Sequence, residues 1–287
     1  MNDKSHRGTI LVEEAEILSH EAFDGDQYVL RVAAPGCAAR ALPGQFAHIT
    51  VDPQRPMRRP ISIMRVSADA GWVDFLYKVV GEGTELLAQR QPGETLSTMG
   101  PIGVPFDVRH RRPLLIGGGV GMPPMICIAE LLKGGDGQPF VILGSEVPFP
   151  FTPRPSQFVV DGIPDGVIAA MPLLEDWGIP SRLTSLQGYA GCHQGYVTDL
   201  ARTWLDALDD DARREVGIYA CGPHPMLEAV VGVARDYGLP VQVSLEEFMA
   251  CAVGGCAGCV VEVATDSGPA MKRVCVDGPV FDGYSVF

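Results

Sequence analysis

The sequence predicts a multidomain chain: an N-terminal β-barrel, an α/β domain built on a parallel sheet, and a small C-terminal segment organised by cysteines. Three observations carry the prediction. Short strand-like runs separated by turns fill residues 8–108, and strand and helix patterns alternate from 109 to 242. Four of the eight cysteines, Cys251, Cys256, Cys259 and Cys275, then crowd the end of the chain. A length of 287 residues accommodates two ordinary domains and an appendage, with expected boundaries at 1–108, 109–242 and 243–287.

In the first region the runs QYVLRVAA, PGCAARALPG, QFAHITV, ISIMRVS and WVDFLYKVV are divided by the turn signals GEG and QPGE. Many short strands at regular spacing read as a barrel or sandwich. One helix is expected there, near Thr84 to Gln89. At Arg112 the pattern changes: RPLLIGGG is an apolar strand meeting a glycine cluster, and MICIAELLKGG is a helix. A buried strand FVILG, a Pro-rich loop from Val147 to Pro155, and strands near FVV (158–160) and GVIAAMP (166–172) follow. The helix YVTDLARTWLDAL, strand VGIYACG, helix MLEAVVGVARDYG and strand VQVSLE complete an alternation that implies a mostly parallel sheet covered on both faces. Beyond it lie a strand at CVVEVAT and a short tail.

Composition removes several functions. No apolar run approaches the roughly 18 residues that span a bilayer, so no membrane insertion is expected. A formal net charge of -13 disfavours a general grip on nucleic acid, which depends on Lys and Arg neutralising phosphates. The start, MNDKSHRGTI, lacks the apolar stretch of a secretory signal, so the expected compartment is the cytoplasm. Clustered thiols in a reducing compartment bind metal or do redox chemistry more often than they form disulfides.

The clustered cysteines read C-x4-C-x2-C, then fifteen residues, then a fourth Cys. That is the spacing of a plant-type 2Fe-2S cluster, with Cys251, Cys256, Cys259 and Cys275 as ligands. The group is anionic, and Gly254, Gly255 and Gly258 are expected to let the backbone curl round it and present N–H groups. Structural zinc also accepts four thiolates, but a zinc ribbon offers two C-x2-C knuckles and only Cys256 and Cys259 form one here.

A cluster moves single electrons and a nicotinamide moves two, so a protein linking them needs a converter such as a flavin. Arg59-Pro60-Ile61-Ser62 offers a guanidinium to a pyrophosphate and a hydroxyl to a ring nitrogen, and taken alone fits a surface strand with an ordinary Arg equally well. Gly81, Gly83 and Thr84 open the expected helix and form a phosphate seat. Gly117-Gly118-Gly119-Val120-Gly121 has the strand–turn–helix context of a nucleotide loop without fitting G-x-G-x-x-G. Cys221-Gly222-Pro223-His224-Pro225-Met226 ends a strand further on.

In this order, R-x-x-S, G-x-G-T, GGG-x-G and CGP-x-PM resemble the ferredoxin–NADP reductase superfamily over nearly the whole chain. With the closing C-x4-C-x2-C and C-x-x-GPVF, the chain resembles most closely the electron-transfer subunits of type B dihydroorotate dehydrogenase. The resemblance implies that Arg59, Pro60, Ile61, Ser62, Gly81, Gly83 and Thr84 bind FAD. It implies that Gly117, Gly118, Gly119 and Gly121 carry the diphosphate of NAD(H), with Cys221, Gly222 and Pro223 beside the nicotinamide, Cys221 as the catalytic candidate. It also implies a hetero-oligomer with an FMN-containing dehydrogenase subunit. Ala252 stands where relatives commonly have Gly. Glu146, following the second strand of the nucleotide domain, favours a 2′-hydroxyl and hence NADH, while Arg154 keeps NADPH open. Cys37 and Cys127 are expected to be packing thiols, and Cys192-His193 a loop rather than a nucleophile pair. A stand-alone reductase for ferredoxin or an oxygenase, a subunit of another complex, and a metal-bound redox sensor stay open as alternatives.

Overall fold

The computed structural model describes residues 8, 10–52, 54, 55 and 57–287. Its contacts divide into two compact units. The first holds the residues up to Phe106 together with Ser244–Phe281 and Val286; the second holds Asp107–Val243, Asp282–Ser285 and Phe287.

The first unit contains a closed barrel of β1 (Leu11–Phe23), β2 (Gln27–Ala33), β3 (Phe46–Ile49), β4 (Arg59–Ser67), β5 (Trp72–Lys78) and β6 (Thr95–Ile102), in the order β1-β2-β5-β4-β3-β6. Neighbouring strands run antiparallel. Alternation sets which side chains turn inward: Ala47 and Ile49 of β3, Ile61 and Ile63 of β4, and Val73 and Phe75 of β5 fill the barrel with Leu30, Val32 and Leu96. Each such aliphatic side chain contributes about 1.5–3 kcal/mol by leaving water. The opposite face of β3 carries Phe46 and His48, paired across to Ser62 and Pro60 of β4.

PGCAARALPG, expected as an extended run, is instead one turn of helix, α1 (Pro35–Ala38). Pro35 suits a first helical position, and the freed N–H groups of Gly36 and Cys37 each donate to the Glu13 carboxylate at 2.8 Å. The second helix, α2 (Glu82–Ala88), falls where one was expected.

The second unit is built on β7 (Arg112–Gly118), α3 (Met122–Leu132), β8 (Phe140–Gly144), the two-residue strands β9 (Arg154–Pro155) and β10 (Ala169–Ala170), α4 (Pro172–Asp176), β11 (Ser181–Thr184), α5 (Val197–Ala207), α6 (Asp210–Arg214), β12 (Val216–Cys221), α7 (His224–Tyr237) and β13 (Val241–Ser244). The sheet runs β11-β8-β7-β12-β13, with parallel pairing at β11–β8, β8–β7 and β7–β12. The expected strand at 158–160 does not form. Val159 is 96% exposed, and the Phe158 carbonyl accepts from Arg182 Nη2 at 2.7 Å. Prolines on both sides of Arg154 withhold ladder donors, so the neighbouring pair β9–β10 stays two residues long.

In the last segment β14 (Val260–Thr265) and β15 (Gly268–Arg273) form an antiparallel hairpin, followed by α8 (Val274–Asp277), β16 (Val280–Asp282) and α9 (Gly283–Val286). A backbone bond fixes this segment to the barrel, Val104 N–H donating to Gly278 C=O at 2.6 Å, and within the segment Leu245 N–H donates to Pro279 C=O at 2.9 Å.

Candidate functional site

The four clustered cysteines meet as two pairs. The Cys256 thiol is near enough to Cys251 to favour its ionisation, and the Cys256 N–H points at Cys251 Sγ at 3.4 Å. Cys259 and Cys275 pair likewise, with the Cys275 N–H 3.5 Å from Cys259 Sγ. The Gly258 N–H lies 3.4 Å from Cys256 Sγ. Burial opposes ionisation of Cys251, but N–H groups of Val253, Cys256 and Gly255 and the Cys256 thiol outweigh it and bring Cys251 down to about 7. Burial pushes Cys275 up to about 12, helped by Cys259. Two thiol pairs suit a group with two metal atoms, each taking two thiolates. Among the described residues no His, Cys, Asp or Glu group of three or more converges as a single ion requires.

The loop's backbone differs from the expectation placed on its glycines. Positive φ falls at Ala252 (54°), Gly254 (80°) and Ala257 (54°), not at Gly255 or Gly258. Nor does space require glycine at those two positions: a Cβ would lie in ordinary contact, 4.0 Å from Cys251 Sγ at Gly255 and 3.5 Å from Cys256 Sγ at Gly258. One edge of the loop is open to solvent, since Val253, Gly255, Cys256, Ala257 and Gly258 are exposed, while Cys259 and Cys275 are buried.

On the barrel, Arg59 swings from β4 to the start of α2. Its guanidinium lies flat against Gly83, where any Cβ would collide with it. Arg59, Gly81, Gly83 and Thr84 are thereby brought together, and Ser62 stays on the outer face of the same strand. The Thr84 hydroxyl is committed to the backbone, accepting from Val80 N–H at 2.9 Å and Gly81 N–H at 3.3 Å. It fixes the loop that leads into α2.

In the second unit β8 and β12 flank β7 on opposite sides, so the connections leave in opposite directions at the carboxyl ends of β7 and β12, the position at which open α/β sheets form their ligand crevice. Gly117 pairs with Cys221 across these strands. Gly121 packs directly on the Cys221 carbonyl, and the Met226 sulfur fills the space beside Gly118 and Gly222. A side chain at Gly121 would push the two loops apart, whereas one at Gly118 or Gly222 would displace the Met226 side chain. Helix α3 starts Met122-Pro123-Pro124, and proline carries no N–H. The backbone N–H groups between β7 and those prolines are those of Gly119, Val120, Gly121 and Met122, the last donating to the Gly119 carbonyl. Glu146 is exposed two residues past β8.

Sequence reading missed His48 and Arg58. His48 is 1% exposed, and neither ring nitrogen has a partner in hydrogen-bonding geometry. Backbone groups of Arg58 and Met249 lie nearby, and burial, then the Arg58 charge, hold the imidazole down at about 4. Arg58 donates to the His48 carbonyl at 3.2 Å, the Ser97 carbonyl at 2.5 Å and Ser97 Oγ at 3.0 Å, tying β3 to β6. Cys37 and Cys127 are buried, and burial raises both to about 12. His193 is held in its loop by backbone bonds to Leu183 and Ser185.

The barrel followed by a parallel-sheet unit is the architecture of the ferredoxin reductases. The NADH-dependent reduced ferredoxin–NADP oxidoreductase studied for flavin-based electron bifurcation superposes with a TM-score of 0.77 at 27% identity, covering 96% of this chain and 90% of that one. The ferredoxin reductase of carbazole 1,9a-dioxygenase shares the fold, with a TM-score of 0.62 at 22% identity over 82% of this chain and 69% of that chain. Residues 246–287 match the family described as the iron-sulfur cluster binding domain of dihydroorotate dehydrogenase B. The dihydroorotate dehydrogenase B (NAD(+)) electron transfer subunit of Geobacillus sp. (strain WCH70) is 33% identical over 96% of this chain and 98% of its own. That of Desulforamulus reducens is 32% identical with the same coverage. The protein is thus of the ferredoxin-reductase-like class. Within it, the chain belongs to the family of dihydroorotate dehydrogenase B electron transfer subunits. No helix among the described residues is long and apolar enough to cross a membrane.

Proposed function

We propose that this chain carries electrons between an FMN-containing dehydrogenase subunit that oxidises dihydroorotate and NAD. The observation that carries the reading is the pairing of four thiols at the end of a complete reductase fold, in a chain whose relatives match it almost end to end. When bound, a 2Fe-2S cluster supplies one-electron capacity, FAD conversion between one and two electrons, and NAD(H) the hydride.

The chain's own residues supply the seats. Cys251, Cys256, Cys259 and Cys275 ligate the cluster, and the exposed rim around Cys256 gives a partner close access to it. Arg59 neutralises the FAD diphosphate against the amides at Gly81 and Gly83, Thr84 holds that loop, and Pro60, Ile61 and Ser62 set the strand along the flavin. Gly117 to Gly121 carry the dinucleotide diphosphate. Cys221, Gly222 and Pro223 orient the nicotinamide, and Met226 keeps water from the floor of the crevice. Glu146 favours NADH by accepting from a ribose 2′-hydroxyl and repelling a 2′-phosphate. These roles correspond to the divisions 1–108, 109–242 and 243–287, in a cytoplasmic hetero-oligomer.

The similarity to the NADH-dependent reduced ferredoxin–NADP oxidoreductase favours a second reading, in which the same parts serve another NAD(P)H-linked complex. The purified chain with its FMN-containing partner is expected to reduce NAD in the presence of dihydroorotate. Cys256→Ser is expected to abolish that coupled reaction while leaving NADH-to-dye reduction through FAD largely intact. Loss of both activities in a folded variant would refute the assigned order. Activity with ferredoxin alone would favour the second reading.

A further inference from the structure

Strand β15 ends at Arg273, whose side chain reaches in two directions. Nη1 donates to the Gly254 carbonyl at 3.0 Å, and Nε donates to Asp277 Oδ2 at 3.1 Å. The same carboxylate oxygen accepts the Arg273 backbone N–H at 3.0 Å. Gly254 lies in the loop that carries Cys251, Cys256 and Cys259, whereas Asp277 closes the helical turn that carries Cys275. One guanidinium therefore joins the two chain segments that supply the four thiols. The contact is tightly packed: a Cβ on Gly254 would stand 2.8 Å from Val276 Cγ2 and 3.2 Å from Arg273 Nη1.

We propose that Arg273 is a positioning residue for the cluster, its fork holding the two thiol-bearing segments in register and its charge favouring the reduced form of the bound group. The inference rests on the reading that these four cysteines ligate a 2Fe-2S cluster. An oxidised cluster with four thiolates is already anionic and gains a further negative charge with each electron. A fixed cation beside it therefore stabilises the reduced state more than the oxidised one. Arg suits the task because a planar fork reaches a carbonyl and a carboxylate at once. Lys would keep the charge but could not hold both acceptors in the same geometry.

Charge and position separate experimentally in the FAD- and cluster-loaded protein. A redox titration followed by electron paramagnetic resonance is expected to show a lower cluster midpoint in Arg273→Met, with the FAD midpoint unmoved. Arg273→Lys is expected to keep the midpoint near that of the parent. Both variants are expected to release iron to a chelator about tenfold faster, the scale set by loss of an outer partner. Asp277→Asn, which frees one arm of the fork but keeps the cation, provides a variant of milder effect should Arg273→Met fail to fold. It is expected to speed iron release without lowering the midpoint. Parent-like midpoints and chelator rates in both Arg273 variants would overturn the proposal. A parent protein that binds no cluster would instead overturn the reading of the cysteines.

Discussion

An imidazole buried with no hydrogen-bond partner can stay in place only as the neutral form. His48 is in that position: burial and then the neighbouring Arg58 depress its pKa to about 4, against an unfolded value near 6.5. The sign of the linkage follows. Below pH 6.5 the unfolded chain takes a proton that the folded chain refuses, so stability falls with pH until the folded pKa is passed. Over the two and a half units involved this amounts to about 3 kcal/mol. His48→Gln is expected to flatten the acid side of the stability curve between pH 6.5 and 4, read by urea unfolding at a series of pH values. An unaltered slope would show that another group is responsible. Arg58 and His48 could not be read from the sequence, because their roles depend on which residues β3 meets across β4 and β6. By contrast, the cysteine spacing was legible, since three of the four thiols lie within one short loop and ligand geometry there is a local matter.

At the scale of elements, the helices and parallel strands of the second unit followed their apolar patterns, while α1 and the absent strand at 158–160 did not. In α1 the deciding influence is remote: the Glu13 carboxylate binds the helical turn from another strand. At 158–160 three apolar-looking residues had no ladder to join, since the neighbouring pair ends after two residues. Strands β1 and β6 were passed over because β1 alternates charged residues with buried ones, which dilutes its apolar signal. The cluster loop makes a sharper test of local conformation. Gly254 combines a φ of 80° with crowding by Val276, whereas Ala257 holds a φ of 54° at an exposed position. An L-residue in the left-handed region costs about 1–2 kcal/mol. Gly254→Ala is therefore expected to lower the stability of the cluster-free protein by about 2 kcal/mol. Ala257→Gly relieves strain but gains chain entropy when unfolded, and is expected to change stability by less than about 0.5 kcal/mol. Denaturant unfolding of the two variants checks the contrast, and equal losses would contradict the backbone assigned to this loop.

Across the whole molecule, core and continuity part company. The barrel's interior is drawn from residues 15–96, and the second unit from 107–243 with only Asp282–Ser285 and Phe287 added, so each has most of its core in one stretch of chain. The cysteine-bearing segment does not. Its buried residues, among them Leu245, Met249, Val276 and Val280, are covered within the first unit, and a segment of this length has too little apolar surface to fold alone. Fragments 1–106 and 107–243 are each expected to unfold cooperatively on heating by circular dichroism. The isolated peptide 244–287 is expected to show no transition without iron. A cooperative transition in the iron-free peptide would mean that the segment is an autonomous domain.

The backbone bond of Val104 to Gly278 shows that the barrel unit is finished by residues far downstream of its own strands. During synthesis on the ribosome the barrel core and the nucleotide sheet emerge first and can each collapse as a unit. The cysteine loop follows only after the residues of both cores have been made. A chain whose synthesis stopped short of Cys251 would thus hold the residues of both cores yet lack all four clustered thiols.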